Sequence, residues 1–456
     1  MNTRDSLSEL RARVSGPVLT PEDVGFSGEV SGFNVANTYH PSVAVGVTSE
    51  ADVVEAVRFA ASHQLPIRVL ATGHGPINPV AGGMLIVTKR LNAVSIDRDT
   101  RIATVGAGVK WEAVQSAAAP LGLTAITGSS PDVGAVGLTL GGGLGPLARS
   151  HGFTSDYVRS FRVVTGDGEA VTASADENPE LFWALRGGKG GLGVVTRMRI
   201  ELVPLPTIYA GAIVFDAPHI ETALRGWIDW TATAPADVTT SVAIIHFPPF
   251  EEVPEPIRGH HGIALRFAYP GSPAEGERLV APLRALAPAL MDTVGELPTS
   301  MMGLIHSDPT DPLPAWDRGG LLNSIDQDFA TALLAEVGAG VESPLLITEV
   351  RHLGGATVKD VAGGSAVSGR TAGFTFYAIG VPDPSLFDAV LPAAADRLSS
   401  AISPWFSSES NPNFAGHFPT REQFASAWPA EIFARLATVK KHYDPLGLFT
   451  YGPAAG

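Results

Sequence analysis

The residues of this chain best suited to chemistry are grouped around three glycine-rich segments in its first half. The segments span 73–75, 128–145 and 187–193, and the first of them contains His74. Glycine lets backbone N–H groups approach a ligand without a Cβ in the way, and consecutive N–H groups form a concave site for anions. Several such loops suit a long ligand with a pyrophosphate in its middle. FAD and NAD both meet that description.

The third segment does not fit the two common nucleotide-binding motifs. Residues 188–193 match GxGxxG, but a β-branched run at 194–196 follows and favours a strand, whereas a Rossmann fingerprint must open a helix. A Walker loop requires Ser or Thr after Lys189, where this chain has Gly190. Neither an HExxH zinc motif nor a GxSxG nucleophile elbow occurs in the sequence, and we expect no metal site.

Composition excludes several classes of function. The 456 residues carry 46 acidic and 31 basic side chains, and the resulting net charge of −15 disfavours nucleic acid and anionic membranes as partners. Because cysteine is absent, disulfides, iron–sulfur clusters and thiol nucleophiles are excluded. The chain start lacks the apolar segment of a signal peptide, and no stretch predicts a transmembrane helix. We expect a cytoplasmic protein with a small-molecule partner, either a monomer or a homodimer.

Periodicity and turn signals place the glycine-rich segments between regular elements. Ser49 and Asp52 have capping-box spacing ahead of a helix that ends near His63, and an apolar strand at 66–70 leads into the first loop. The segment 127–145 is too rich in glycine for a helix interior and too long for an ordinary turn, so we predict an irregular binding loop. Further strands are predicted at 84–88, 94–96, 102–105, 161–165, 170–173 and 194–202, and helices at 111–119, 179–185 and 430–442.

The texture of the sequence changes near Pro204 and Pro206, which predicts a domain boundary. Beyond it, strands alternate with helical stretches, and alternation within the strands indicates an antiparallel sheet with one exposed face. The strands predicted in this region are 241–247, 263–268, 345–352 and 374–381.

Taken in order along the chain, these motifs resemble the FAD-linked oxidases of the vanillyl-alcohol-oxidase fold, specifically the berberine-bridge-enzyme-like branch. The resemblance is carried by the Gly73-His74 pair and by the segments 41–45, 133–134, 137–145, 180–187, 193–196, 413–414 and 443–449. It implies an α+β fold with a two-part FAD-binding domain of the PCMH type, formed by residues 1–205 and 405–456. It also implies a substrate-binding domain at 206–404, in which an antiparallel sheet is covered by helices.

The resemblance implies that FAD is bound by the backbone of these loops. The residues expected to contact it are Ala71, Thr72, Gly73, His74, Gly75, Pro76, Gly128, Ser129, Ser130, Val133, Gly134, Gly137, Leu140, Gly141, Gly142, Gly145, Gly193, Val194 and Val195. The resemblance further implies that His74 is bonded covalently to the methyl group of the flavin. Some members carry a second link through a cysteine, but this chain has Ser130 at about that position, so we expect a single link or none.

The same resemblance implies an FAD-dependent oxidoreductase that oxidises a small alcohol, amine or phenol, by analogy in secondary metabolism, with O₂ as electron acceptor. Two alternatives stay open: a flavin dehydrogenase with another acceptor, and a flavin-containing resistance protein that binds a drug without turnover. Departures from the family pattern at Gly191 and near Gly452 favour the second alternative slightly.

Oxidation of such a substrate needs a group that takes its proton. Tyr377, on a predicted strand that by resemblance faces the flavin, is one candidate, although a tyrosine there equally fits cross-strand packing. Glu349 lies on the strand predicted at 345–352, where an ion pair with Arg351 on the same face is the alternative. Asn413 is the third candidate, and a structural role is its alternative.

We expect the link between His74 and FAD to survive denaturation, because unfolding does not break a covalent N–C bond. Acid precipitation of the purified protein should therefore leave the yellow colour in the pellet. Colour that stays in the supernatant would contradict the covalent link, though not FAD binding itself.

Overall fold

The computed structural model describes residues 3–75, 79–416 and 421–450. Pro76, predicted to contact FAD, and Gly452 lie outside the described residues. Within those ranges, no helix has both the length and the apolar character needed to cross a membrane. The α-helices are Thr3–Arg13, Phe26–Glu29, Glu50–His63, Trp111–Ala118, Ala135–Thr139, Ala148–His151, Pro179–Leu185, Ile220–Thr231, Pro273–Arg284, Gln327–Val337, Val390–Ala401, Arg421–Ala425 and Ala430–Tyr443.

A small sheet near the start of the chain delivers the first glycine-rich loop. The helix Glu50–His63 covers this sheet and begins where predicted, because the Ser49 side chain accepts a hydrogen bond from the Asp52 N–H group. Its apolar face is buried in one core with the strands. The strands lie in the order Val18–Leu19, Val43–Gly46, Met84–Val87 and Ile67–Leu70, and the last three are parallel. Tyr39–His40 and Val80–Ala81 form a separate parallel pair.

A five-stranded antiparallel sheet follows, and the third glycine-rich segment leads directly into its central strand, Val194–Glu201. Antiparallel pairing of Val164 with Ala170 confirms the predicted hairpin. The helix Pro179–Leu185 has the predicted bounds, and it packs with Trp111–Ala118 into the core beside this sheet. The strands lie in the order Ala170–Ser174, Val158–Val164, Val194–Glu201, Ile102–Gly106 and Val94–Asp97.

The largest sheet in the described part of the chain is called the central sheet from here on. It is antiparallel and covered by helices, which confirms the predicted α+β fold. Helices Ile220–Thr231, Pro273–Arg284, Gln327–Val337 and Val390–Ala401 share a core with one of its faces. The strands lie in the order Ala289–Asp292, Thr207–Asp216, His261–Tyr269, Thr239–His246, Leu345–His352, Phe374–Gly380 and Asp317–Leu322, and Gly295–Pro298 also pairs with the second of them.

The expectation that one face of the central sheet is exposed is wrong. The interior residues of Thr239–His246 and His261–Tyr269 are buried on both faces. Part of the second face is covered by residues from the first half of the chain, where Ile126 and Leu147 pack in one cluster with strand residues of the central sheet. Another part is covered by Val253 and Ile257. Arg149 reinforces this contact, because its guanidinium donates to the Val238 carbonyl at 2.7 Å and also to the Leu353 carbonyl.

The segment 127–145 is not wholly irregular as predicted, because it contains the short helix Ala135–Thr139. Ala135 and Val136 are buried in the core beside the five-stranded sheet, so tertiary packing outweighs the low helix propensity of the surrounding glycines. Gly142 and Gly143 then adopt φ values of +98° and +79°, which a residue with a Cβ rarely tolerates, and the helix cannot continue.

The last helix returns the chain to the first sheet. Asp444, with a fully buried side chain, accepts hydrogen bonds from Leu448 N at 2.8 Å, Phe449 N at 3.0 Å and Lys440 Nζ at 2.8 Å. This arrangement positions Phe449 as a bridge partner of Ile67, which precedes the loop that contains His74. The domain boundaries at 205 and 405 stay a prediction.

We expect Asp444→Ala to lower the free energy of unfolding by about 3 kcal/mol, because it leaves two buried N–H groups and an ammonium group without their acceptor. Denaturant unfolding followed by circular dichroism measures this loss. The exposed Asp176 is the matched control, and Asp176→Ala should change stability by less than about 0.5 kcal/mol. Equal stability of the two variants would contradict this account of the C-terminal turn.

Candidate active site

A cavity of about 360 Å³ lies where the glycine-rich segments meet the central sheet. Its volume is within the range of ligand-binding pockets. One wall is formed by Ala71, Thr72, Gly73, His74 and Gly75, and other walls by Val133, Gly134, Val136, Gly137, Leu138, Leu140, Lys189, Gly190, Gly191, Gly193 and Val195. Asp317 and Tyr377 line it from the central sheet, and Asn413 from the C-terminal part. Folding therefore brings the three glycine-rich segments to one cavity.

His74 is held on three sides. Its ring is stacked on Phe33, with centroids 3.9 Å apart. Nδ1 lies 3.0 Å from Thr72 Oγ1, and Nε2 lies 3.2 Å from Asp132 Oδ2. Burial lowers the pKa of His74 to about 4, although the Asp132 carboxylate opposes this effect. The imidazole is therefore neutral at pH 7.

Tyr377 and Asp317 meet on neighbouring strands of the central sheet. The Tyr377 hydroxyl donates a hydrogen bond to the Asp317 carboxylate. Burial and this carboxylate raise the pKa of Tyr377 well above its usual range, so the phenol stays protonated. Asp317 could not be predicted as a site residue, because nothing in the local sequence pattern marks the strand Asp317–Leu322 or its first residue.

Lys189 also lines the cavity and was not predicted as a functional residue. Its ammonium group donates to Asn413 Oδ1 at 2.5 Å and to the Gly137 carbonyl at 3.1 Å. Burial lowers the pKa of Lys189 to about 8. The backbone φ of +65° costs a non-glycine residue about 1 kcal/mol. A lysine flanked by glycines is the signal that the sequence offers for this residue.

Glu349 does not line the cavity. Its buried carboxylate accepts hydrogen bonds from Ser241 Oγ at 2.9 Å, Arg266 Nη1 at 2.6 Å and Arg351 Nη2 at 2.7 Å. Burial raises the pKa of this carboxyl group, but Arg351 and Arg266 outweigh burial and hold the pKa well below its usual range. Because such a carboxylate is a poor proton acceptor, the geometry favours the ion-pair alternative for Glu349.

Comparison with known proteins indicates what the cavity binds. A family model described as an FAD binding domain matches residues 41–174. The (R)-6-hydroxynicotine oxidase of Paenarthrobacter nicotinovorans is 28% identical over 96% of each chain. The crystal structure of 6-hydroxy-D-nicotine oxidase from Arthrobacter nicotinovorans matches 96% of each chain, with a TM-score of 0.80 and 25% identity. This chain is an FAD-linked oxidoreductase of the vanillyl-alcohol-oxidase fold.

A more distant structure shows the same fold. The carbohydrate oxidase from Microdochium nivale matches 98% of each chain, with a TM-score of 0.82 and 20% identity. At that identity the likeness concerns the fold of the oxidoreductase alone.

The cavity of the oxidoreductase fits FAD. A Cβ added at Gly75 or Gly137 would meet no protein atom within 4 Å, and both residues line the cavity, so a side chain there would fill space that the ligand needs. A Cβ at Gly134 would press on Thr72 Oγ1 at 3.1 Å, beside His74. The backbone of these loops and the Lys189 ammonium would hold the cofactor, which carries an anionic pyrophosphate.

Not every residue predicted to contact FAD lines this cavity. Ser129 accepts a hydrogen bond from Arg351, and Val194 is buried in the core beside the first sheet. A Cβ at Gly141 would collide with the Asn413 side chain, so this glycine allows a close approach of protein segments rather than of a ligand. The predicted residues outside the lining are Gly128, Ser129, Ser130, Gly141, Gly142, Gly145 and Val194.

We expect Lys189→Met to weaken FAD binding about tenfold at pH 7, a change of about 1.4 kcal/mol, because a buried cation facing an anionic ligand is lost. The substitution is made together with His74→Ala, so that binding is reversible and fluorescence titration measures its dissociation constant. Because the pKa of Lys189 is lowered to about 8, its charge is present below pH 8 and lost above it. The difference should therefore shrink at pH 9.

The exposed Lys441 is the control for this comparison, and Lys441→Met should leave FAD affinity unchanged. An effect of Lys189→Met that is equal at pH 7 and pH 9 would contradict an electrostatic role for the ammonium group.

Proposed function

We propose that this oxidoreductase oxidises a small alcohol or amine and passes the electrons to O₂. The observation that carries the proposal is the Tyr377–Asp317 pair, which faces the cavity that fits FAD. The name of one similar protein, a 6-hydroxynicotine oxidase, supports a small-molecule substrate. We also propose that FAD is attached by a single covalent link to His74, whose ring lines the same cavity.

Bound FAD supplies a two-electron acceptor that can take a hydride from the substrate and be reoxidised by O₂. The protein supplies the path for the substrate proton. As the Tyr377 oxygen receives the substrate proton, it can pass its own proton to Asp317, so the pair accepts a proton without a free phenolate forming. Asn413 is held in position by its hydrogen bond to the Leu138 carbonyl at 2.9 Å. Its Oδ1 accepts a hydrogen bond from Lys189 and thereby positions the Lys189 ammonium group at the cavity.

The two members of this pair can be tested separately. We expect Asp317→Asn to lower kcat at least about 100-fold, since the proton acceptor is lost, and Tyr377→Phe to do the same. Tyr157 is the matched control, because burial also raises its pKa to about 12 but it does not line the cavity. Tyr157→Phe should keep wild-type turnover, and full activity of Tyr377→Phe would remove that residue from the mechanism.

The electron acceptor is tested on the wild-type holoprotein with alcohols and amines as candidate substrates. Bleaching of the flavin absorbance without oxygen, followed by H₂O₂ release when air is admitted, supports an oxidase. Bleaching without subsequent H₂O₂ indicates a dehydrogenase, and a protein that binds a candidate but never bleaches would act by sequestration instead.

A further inference from the structure

Two charged residues next to His74 are not used by the proposed reaction. Asp132 is almost fully buried, with a side chain that is 8% exposed. One of its oxygens lies 3.2 Å from His74 Nε2, and the other forms an ion pair with the Lys110 ammonium group. Asp132 lies in the second glycine-rich segment and His74 in the first, so this contact exists only in the folded chain. The proposed reaction gives no role to this buried carboxylate, which faces the proposed attachment residue.

The contacts of the imidazole decide which of its nitrogens carries the hydrogen. An ionised carboxylate can only accept hydrogen bonds, so the nitrogen that faces Asp132 must be the N–H nitrogen. In a neutral ring, Nδ1 then carries the lone pair. The Thr72 hydroxyl is consistent with this, because it accepts from Gly134 N–H at 3.2 Å and can donate its single hydrogen to Nδ1 at 3.0 Å.

A carboxylate that orients a histidine in this way also makes it more reactive. In serine proteases, a buried aspartate selects the tautomer of the catalytic histidine and stabilises the positive charge that develops on the ring. Here Nδ1 lies beside Thr72 on one side of the ring, and Nε2 faces the Asp132 carboxylate at 3.2 Å on the other. Lys110 fixes the carboxylate in place through its second oxygen, and Phe33 fixes the plane of the ring.

We propose that Asp132, held by Lys110, is the positioning residue that makes His74 Nδ1 the nucleophile for covalent attachment of FAD. This inference rests on the covalent link proposed above. It goes further because it names the bonding nitrogen and the group that receives the proton.

Covalent attachment forms one N–C bond and breaks one C–H bond. The Nδ1 lone pair forms the bond to the methyl carbon of the flavin, one C–H bond of that methyl group breaks with loss of a proton, and two electrons pass into the flavin ring. The Nε2 proton passes to Asp132, so His74 ends as a neutral alkylated imidazole. O₂ then takes the two electrons and two protons and leaves as H₂O₂, which restores the oxidised flavin.

The rate of attachment can be measured on Asp132→Asn, which keeps the shape of the side chain and removes its charge. Purified wild type, Asp132→Asn and His74→Ala are incubated with excess FAD in air. The covalent fraction is followed by intact mass and by flavin fluorescence after acid precipitation, and non-covalent FAD is measured in the supernatant. We expect Asp132→Asn to bind FAD but to form the link about 100-fold more slowly than wild type, while His74→Ala binds FAD and never forms it.

A purely structural role for Asp132 makes a different prediction, because it would lower FAD binding and covalent attachment together. Unchanged FAD binding with slow attachment therefore supports the proposal. Attachment at the wild-type rate in Asp132→Asn overturns it and leaves the proposed link to His74 intact. A wild-type protein that never forms the link overturns both.

The bonding nitrogen is tested without any substitution. NMR of the flavin peptide released by proteolysis from the wild-type protein distinguishes a link through Nδ1 from one through Nε2. A link through Nδ1 is expected, and a link through Nε2 overturns the proposal even if Asp132→Asn does not fold.

Discussion

A cluster of buried charges holds the walls of the active site together. Glu349 is surrounded by two guanidinium groups from two strands of the central sheet. Arg351 also donates a hydrogen bond at 2.5 Å to Ser129, which belongs to the second glycine-rich segment. Its guanidinium group lies 5.1 Å from the ring centroid of Phe414, which belongs to the C-terminal part. Three remote parts of the chain therefore meet at one side chain. Removal of a partner from a buried ion pair costs about 3–5 kcal/mol, so this cluster tolerates little displacement of the walls.

The reactive groups of the cavity follow the same principle on a smaller scale. Burial keeps the Tyr377 phenol and the His74 imidazole neutral. A fixed neighbour orients each of them: Asp317 beside Tyr377, and Asp132 and Thr72 beside His74. Lys189 differs, because burial alone lowers its pKa, and an anionic ligand is the partner that its charge favours. The glycine-rich segments provide space, backbone donors, His74 and Lys189, whereas the central sheet provides Tyr377 and Asp317.

The local sequence predicted those elements whose stability is local. Ser49 caps its helix through a neighbour three residues away, and the bounds of Pro179–Leu185 follow from a proline at the first turn and an apolar face. Prediction failed where distant residues decide. Ala135–Thr139 is helical because its apolar residues enter a core, and part of the second face of the central sheet is buried because Ile126 and Leu147 cover it. Neither contact partner can be read from the residues nearby.

The sequence alone determined that the chain has glycine-rich loops suited to an FAD-like ligand, a histidine within one of them, and no cysteine for a second link. Those properties depend on residue types and short spacings. Only the tertiary structure decided that Asp317 and Lys189 line the cavity, that Glu349 is enclosed by arginines away from it, and that Asp132 faces His74. Each of these facts joins residues that are distant along the chain. The partner of a charged side chain, and hence its pKa and reactivity, is set by which strands and loops fold against each other.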